Sequence, residues 1–144
     1  MCIRDRAEVE DLEALVTLDL RMVSEEIGFD PFSQVLQAYR QGWLRRVREG
    51  RAWVVGPVGG PLRFKIDQSA VSDHAIQLAG IFTVPEERGQ GLARRATGEM
   101  CHRLLGTCPH LTLYVHQENA PAVALYKRLG FRPQGLVRSA WFQV

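Results

Sequence analysis

The feature that most limits how this chain can fold is a change of apolar period near residue 85. From Ala75 to Val84, Ile76, Leu78, Phe82 and Val84 fall on alternate positions, the spacing of a strand with one buried face. From Gly89 onward, Leu92, Ala96, Met100 and Leu104 recur every fourth position, the spacing of one helix face. Pro85 closes the strand, and Gly89 and Gly91 stand where the helix begins. A strand that enters a helix through such a loop leaves backbone N–H groups at the positive end of the helix dipole. Arg88, Arg94 and Arg95 add charge beside them. The junction suits an anion, and a pyrophosphate is its natural ligand. The dinucleotide fingerprint G-x-G-x-x-G fails, because Arg94 stands in the place of the third glycine. The P-loop fails too, for want of its four-residue gap and Gly-Lys-Ser/Thr ending.

The other elements follow from the same patterns. Leu12, Leu15, Val16, Leu20, Val23 and Ile27 predict a helix over 8–27, stopped by Gly28 and Asp30-Pro31. Leu36, Tyr39, Trp43 and Val47 predict a second helix over 33–49. Ala52–Val55 reads as a short buried strand, and Gly56–Pro61 as a hairpin turn. Leu62, Phe64 and Ile66 alternate with Arg63, Lys65 and Asp67, which predicts a half-exposed strand with its charges outward. Leu111, Leu113 and Val115 mark a strand over 111–117. Asn119-Ala120-Pro121 starts a short helix with a capping Asn, Leu125 and Leu129 on its apolar face and Gly130 as its stop. Phe131 to Val144 is expected to hold one or two final strands broken near Pro133 and Gly135. The result is one α+β domain over 1–144, ordered ααβββαβαβ(β).

Composition narrows the functional classes. With 144 residues, 46% apolar and 24% charged, the chain has the balance of a soluble globular domain with a real core. No apolar run reaches the ~18–20 residues that span a bilayer. Eighteen basic against sixteen acidic residues, net +2, is too near neutral to argue for nucleic acid. Arg40, Arg45, Arg46, Arg48 and Arg51, mostly on the second helix, are interrupted by Trp43 and Leu44 and read as a solvated face. Three cysteines, Cys2, Cys101 and Cys108, suit reduced thiols in a cytoplasm. Cys101, His102, Cys108 and His110 fit no common zinc spacing, so no metal site is expected.

Arg88-Gly89-Gln90-Gly91-Leu92-Ala93 resembles the R/Q-x-x-G-x-G/A coenzyme A signature of the GNAT family of N-acetyltransferases. Leu113-Tyr114-Val115-His116, Asn119-Ala120-Pro121-Ala122, Leu125-Tyr126 and Leu129-Gly130-Phe131 resemble that family's second motif, in the family's order and separation. The likeness covers roughly residues 8–144. Glu25–Pro31, Phe64-Lys65 and Leu113–Val115 look more closely like the C-terminal catalytic half of certain two-domain bacterial members.

The resemblance implies a mixed, mostly antiparallel sheet flanked by helices and splayed between the fourth and fifth family strands, with acetyl-CoA as co-substrate in the splay. The backbone of Phe82, Thr83 and Val84 would pair with the pantetheine amides. The amides of Arg88, Gly89, Gln90, Gly91, Leu92 and Ala93 would hold the pyrophosphate. Gly80 reads as a bulge or a close approach. Asn119 would cap its helix and face the cofactor arm, and Tyr126 matches the tyrosine that protonates the departing thiolate. The implied reaction is direct acetyl transfer to an amine. Many relatives carry a Glu on the strand before the signature, but no carboxylate lies between 75 and 84 here. Asp67, Asp73, His74, His116 and Glu118 remain as bases, none of them assigned. Trp43, Trp53, Tyr39 and the first two helices would shape the acceptor pocket. A non-catalytic acyl-CoA-binding or regulatory domain is the alternative. The expected partner is a small-molecule or peptide amine, not nucleic acid or a membrane, with a homodimer or a missing N-terminal domain left open. Met1–Arg6 is too short and charged for the family's first strand, looks like translated adapter sequence, and suggests a truncated chain.

Overall fold

A computed structural model describes residues 5–140 and Phe142. Among the described residues, five strands form one sheet in the order β1-β2-β3-β4-β5: Asp5–Arg6, Ala52–Val55, Phe64–Val71, Ala75–Thr83 and His110–Leu113. The first four neighbours pair antiparallel, and β4 pairs with β5 in parallel. The described residues also form four α-helices: α1 (Leu12–Ile27), α2 (Leu36–Arg48), α3 (Leu92–Leu105) and α4 (Ala120–Arg128). The expected mixed, mostly antiparallel sheet with flanking helices is what forms. One compact unit reaches to Tyr114, and a second starts at Val115.

In the first unit α1 and α2 pack on one face of the sheet. Leu12, Leu15, Val16 and Leu18 of α1 and Trp43 and Val47 of α2 bury against Ala52, Val54 and Phe82. Full burial of such a side chain contributes about 1.5–3 kcal/mol, which outweighs the modest helix propensity of Val and Trp. Asp11 ties the start of α1 to the hairpin turn between β2 and β3. Its carboxylate accepts from the N–H of Glu8 at 2.7 Å and of Gly59 at 3.0 Å. Trp53, Phe64, Ile66, Ile76 and Leu78, on the alternate positions, turn to the other face. There α3 contributes buried Leu92, Ala96, Met100 and Leu104, and the Arg103 guanidinium lies 5.6 Å from the Trp53 ring.

Three expectations need correction. β3 is buried through Phe64, Lys65, Ile66, Asp67 and Gln68, so its charged positions do not face water. The covering helices α1 and α2 bring their own polar partners for them. Asp5–Arg6 pairs with Val54 and Trp53 of β2, so the charged N-terminal stretch does supply a short first strand. Backbone pairing asks nothing of side-chain polarity. Met1–Arg4, with Cys2, lie outside the described residues. Between Phe131 and Ala140 no strand forms among the described residues, since no neighbouring strand pairs with that backbone. Trp141, Gln143 and Val144 lie outside the described residues.

Candidate active site

The pairing of β4 with β5 ends at Leu78 and Leu113, whereas β4 continues to Thr83. Its last five residues therefore leave β5 behind, and the edge that faced β5 opens. The register against β3 slips at the same place. Lys65 pairs with Phe82 and Asp67 with Ala79, so Gly80 and Ile81 stand opposite Ile66 alone, which is a β-bulge. Gly80 carries it at φ +60°, a left-handed conformation that other residues adopt at a cost. Beyond the bulge the N–H of Val84 donates to Arg63 O at 3.0 Å, which holds the strand end to β3.

A single 3-10 turn, Pro85–Glu87, leads from β4 into the loop before α3. The Arg63 guanidinium donates to Glu87 at 2.6 Å and holds that carboxyl below its ordinary range, chiefly through this hydrogen bond. Gly89 and Gly91 both sit at φ +76°. A Cβ on Gly89 would meet nothing within 4 Å, and one on Gly91 would stand 3.0 Å from Nη1 of Arg95. The loop thus has open space above its first glycine and a guanidinium beside its second. That guanidinium also donates to Gln90 O at 2.9 Å. The helix that follows runs for 14 residues, and its first-turn amides point back at the loop.

Phe82, Thr83 and Val84 thus run directly into Arg88–Ala93 within one unit. The side chains of Phe82, Val84 and Leu92 are not available groups, because Phe82 and Val84 belong to the core and Leu92 is buried. What those positions present is backbone. The Arg88 side chain has protein partners. Its guanidinium donates to Glu25 at 2.9 Å and to Thr83 O at 3.0 Å and lies 5.2 Å from the Phe82 ring, so it braces the end of β4 against α1. In the second unit, Asn119 caps α4 by accepting from Ala122 N at 3.2 Å. Tyr126 is buried and sets its ring edge-on to Phe131, 6.1 Å between centroids.

A family model described as the acetyltransferase (GNAT) family matches residues 12–131. The chain belongs to that family. Among solved structures, the ribosomal-protein-alanine N-acetyltransferase from Brucella melitensis has a TM-score of 0.74 at 22% identity, covering 94% of this chain and 86% of that one. AAC(6')-Iy in complex with a bisubstrate analog, CoA-S-monomethyl-acetylneamine, has a TM-score of 0.69 at 18% identity, covering 99% and 97%. A predicted acetyltransferase from Clostridium acetobutylicum, solved with acetyl-CoA, has a TM-score of 0.65 at 16% identity, covering 96% and 92%. At these identities the likeness is one of fold. A comparison with curated proteins finds no match.

Within this GNAT domain the structure sorts the remaining candidates. Asp73 and His74 lie in the turn before β4. They therefore stand at the far end of β4 from the glycine loop. Asp67 is buried beside the bulge, with its carboxyl raised by burial against the pull of Lys65 and Arg46. His116 and Glu118 are exposed in the second unit. Trp43 and Trp53 are 2% and 4% exposed and belong to the core, not to a pocket wall. Tyr39 stacks on Phe32 at 4.3 Å. Arg40, Arg46 and Arg51 each pair with a carboxylate. Cys101 is half-buried and Cys108 buried, both as free thiols, and burial pushes the Cys101 thiol up to about 11. Among the described residues, no helix is long and apolar enough to cross a membrane.

Sequence reasoning missed Asp19 and Lys65. The signal was present: Asp19 lies one helical turn from Leu15 and Val16, on the apolar stripe of α1. An acid there needs a buried base, and Lys65 supplies it at 2.7 Å.

Proposed function

We propose that this chain is an N-acetyltransferase that moves the acetyl group of acetyl-CoA directly to an amine. One observation carries the reading: the open end of β4 runs into a loop with two left-handed glycines at the N-terminus of a long helix, the arrangement that receives a pyrophosphate. The space above Gly89 fits such a group, and the amides of Arg88 to Ala93 would hold it. On the edge that β5 leaves, the backbone of Phe82 to Val84 would pair with the donor's amide arm as an added strand does, through the groups not already bonded to β3 and Arg88. When bound, the donor supplies a thioester carbonyl for attack. The attacking amine must lose a proton and the departing thiolate must gain one. By motif position Tyr126 gives that proton and Asn119 orders the start of its helix. Among the candidate bases, the exposed Asp73, His74, His116 and Glu118 stay available to the amine, directly or through water, whereas Asp67 is buried and paired with Arg46. The acceptor class is open to aminoglycosides, polyamines, amino acids and peptide N-termini. A fine likeness to the catalytic half of two-domain members rests on Glu25–Pro31, Phe64-Lys65 and Leu113–Val115.

Calorimetry with CoA tests the donor site. Gly91→Glu places bulk and a like charge against the phosphates, in a conformation an L side chain resists. Binding by the parent and its loss in a folded variant is the expected outcome, and equal affinity in both would remove the site. A turnover screen with acetyl-CoA over those amines, reading free thiol, tests the reaction. CoA binding with no thiol release on any amine would favour the non-catalytic acyl-CoA-binding domain, for which the lack of a carboxylate on β4 is the observation.

A further inference from the structure

Lys65 is fully buried, and its three protons have three acceptors. Nζ stands 2.7 Å from Asp19 Oδ1, 2.8 Å from the carbonyl oxygen of Gly80 and 4.0 Å from the sulfur of Met22. The Trp43 ring lies 5.1 Å from Nζ. Asp19 is held in turn by Trp43 Nε1 at 3.2 Å and by the Tyr39 hydroxyl. Asp67 completes the cluster through Arg46 at 3.1 Å. A Cβ on Gly80 would stand 2.2 Å from Asp67 Oδ1 and 2.7 Å from Lys65 Nζ, so the charged groups press directly on the bulge. Burying an ammonium is costly, and a well-packed apolar residue in its place is often neutral or stabilising. Stability is thus a poor reason for a lysine here. The carbonyl it binds belongs to the residue whose bulge sets the direction of Ile81 to Val84.

We propose that Lys65 is a positioning residue for acyl transfer: clamped by Asp19, its ammonium fixes the Gly80 carbonyl and so the β4 bulge that aims the Phe82–Val84 backbone at the acyl donor. This rests on the donor reading above. Misplacing a reacting group by about 1 Å costs up to ~100-fold in rate. Lys65→Met keeps the length and removes the donor. Its kcat, with whichever amine of the panel releases thiol fastest, should fall roughly 10- to 100-fold, while affinity for CoA should fall by less than kcat does, since the loop at Gly89 to Gly91 is untouched. Amide resonances give a second readout. In the parent, acetyl-CoA should shift the amides of Thr83 and Val84 and of Gly89 to Gly91. In the variant only the loop shifts should persist. Should Lys65→Met fail to fold, the double change Asp19→Asn with Lys65→Met removes both charges of the Lys65–Asp19 pair, and the same split is expected. Parent-like kcat and parent-like shifts at Thr83 and Val84 in a folded variant would overturn the clamp and leave the donor reading standing. No CoA binding by the parent would instead remove the donor reading, and the proposal with it.

Discussion

At the residue scale, polar groups buried in this domain divide by whether they have partners. Asp11, Asp19, Lys65 and Asp67 are buried and engaged, and each would leave a buried charge unanswered if its partner were removed. Thr97 is the opposite case. It is fully buried on α3, and its hydroxyl has no hydrogen-bond partner among the described residues. An unsatisfied buried hydroxyl costs about 1–3 kcal/mol. Valine has the same branched shape and comparable helix propensity. Thr97→Val should therefore raise the thermal midpoint, by about 2–4 °C for ~1 kcal/mol in a chain of this size. A melt with an unchanged or lower midpoint would show that the hydroxyl is satisfied after all. Trp53 Nε1 is likewise unpartnered, but its ring lies between the guanidinium groups of Arg6 and Arg103, at 5.7 and 5.6 Å. The ring, more than the N–H, explains a tryptophan there.

At the element scale, α4 was readable almost residue by residue. Its Asn cap, first-turn Pro and Gly stop are local signals, and the helix forms between them. Tyr126 on that helix is where packing and chemistry must be separated, because it is buried against Phe131. Tyr126→Phe keeps the edge-on ring contact and removes only the hydroxyl. A thiolate departs partly unaided, so kcat should fall by roughly ten- to a thousandfold, at or below the usual range for general acid catalysis. CoA affinity and the thermal midpoint should hardly move. Full activity in steady-state kinetics would make the tyrosine packing alone, and a parallel loss of stability would make the hydroxyl structural. β1 shows the opposite kind of element. Nothing in Asp5-Arg6 itself asks for a strand, and the pairing comes from β2 offering an open edge.

At the scale of the whole molecule, the Asp19–Lys65–Asp67–Arg46 cluster couples stability to pH. Desolvation by burial raises the Asp67 carboxyl above its ordinary 3.8, against Lys65 and Arg46, which lower it, and with Asp19, which adds to the rise. The fold therefore prefers this carboxyl protonated. That preference is fully present below pH 3.8 and is lost as pH rises through the folded value. Asp67→Asn removes the dependence, so its thermal midpoint relative to the parent should improve as pH rises above 3.8. A difference that stays constant, or moves the other way, would mean that Arg46 and Lys65 outweigh burial. The same cluster marks the limit of what one dimension can show. Helix faces, the caps, the turn glycines and the period change at Pro85 are local properties of the sequence, and they determined the element order and the glycine loop. Whether the alternate positions of β3 face water depends on what packs above them, and only the arrival of α1 and α2 decides that. The bulge at Gly80, the turning of Arg88 toward Glu25 and the meeting of Lys65 with Asp19, 46 positions apart, are decided the same way. Each is a contact between segments distant in the chain, and no period or spacing within either segment encodes it.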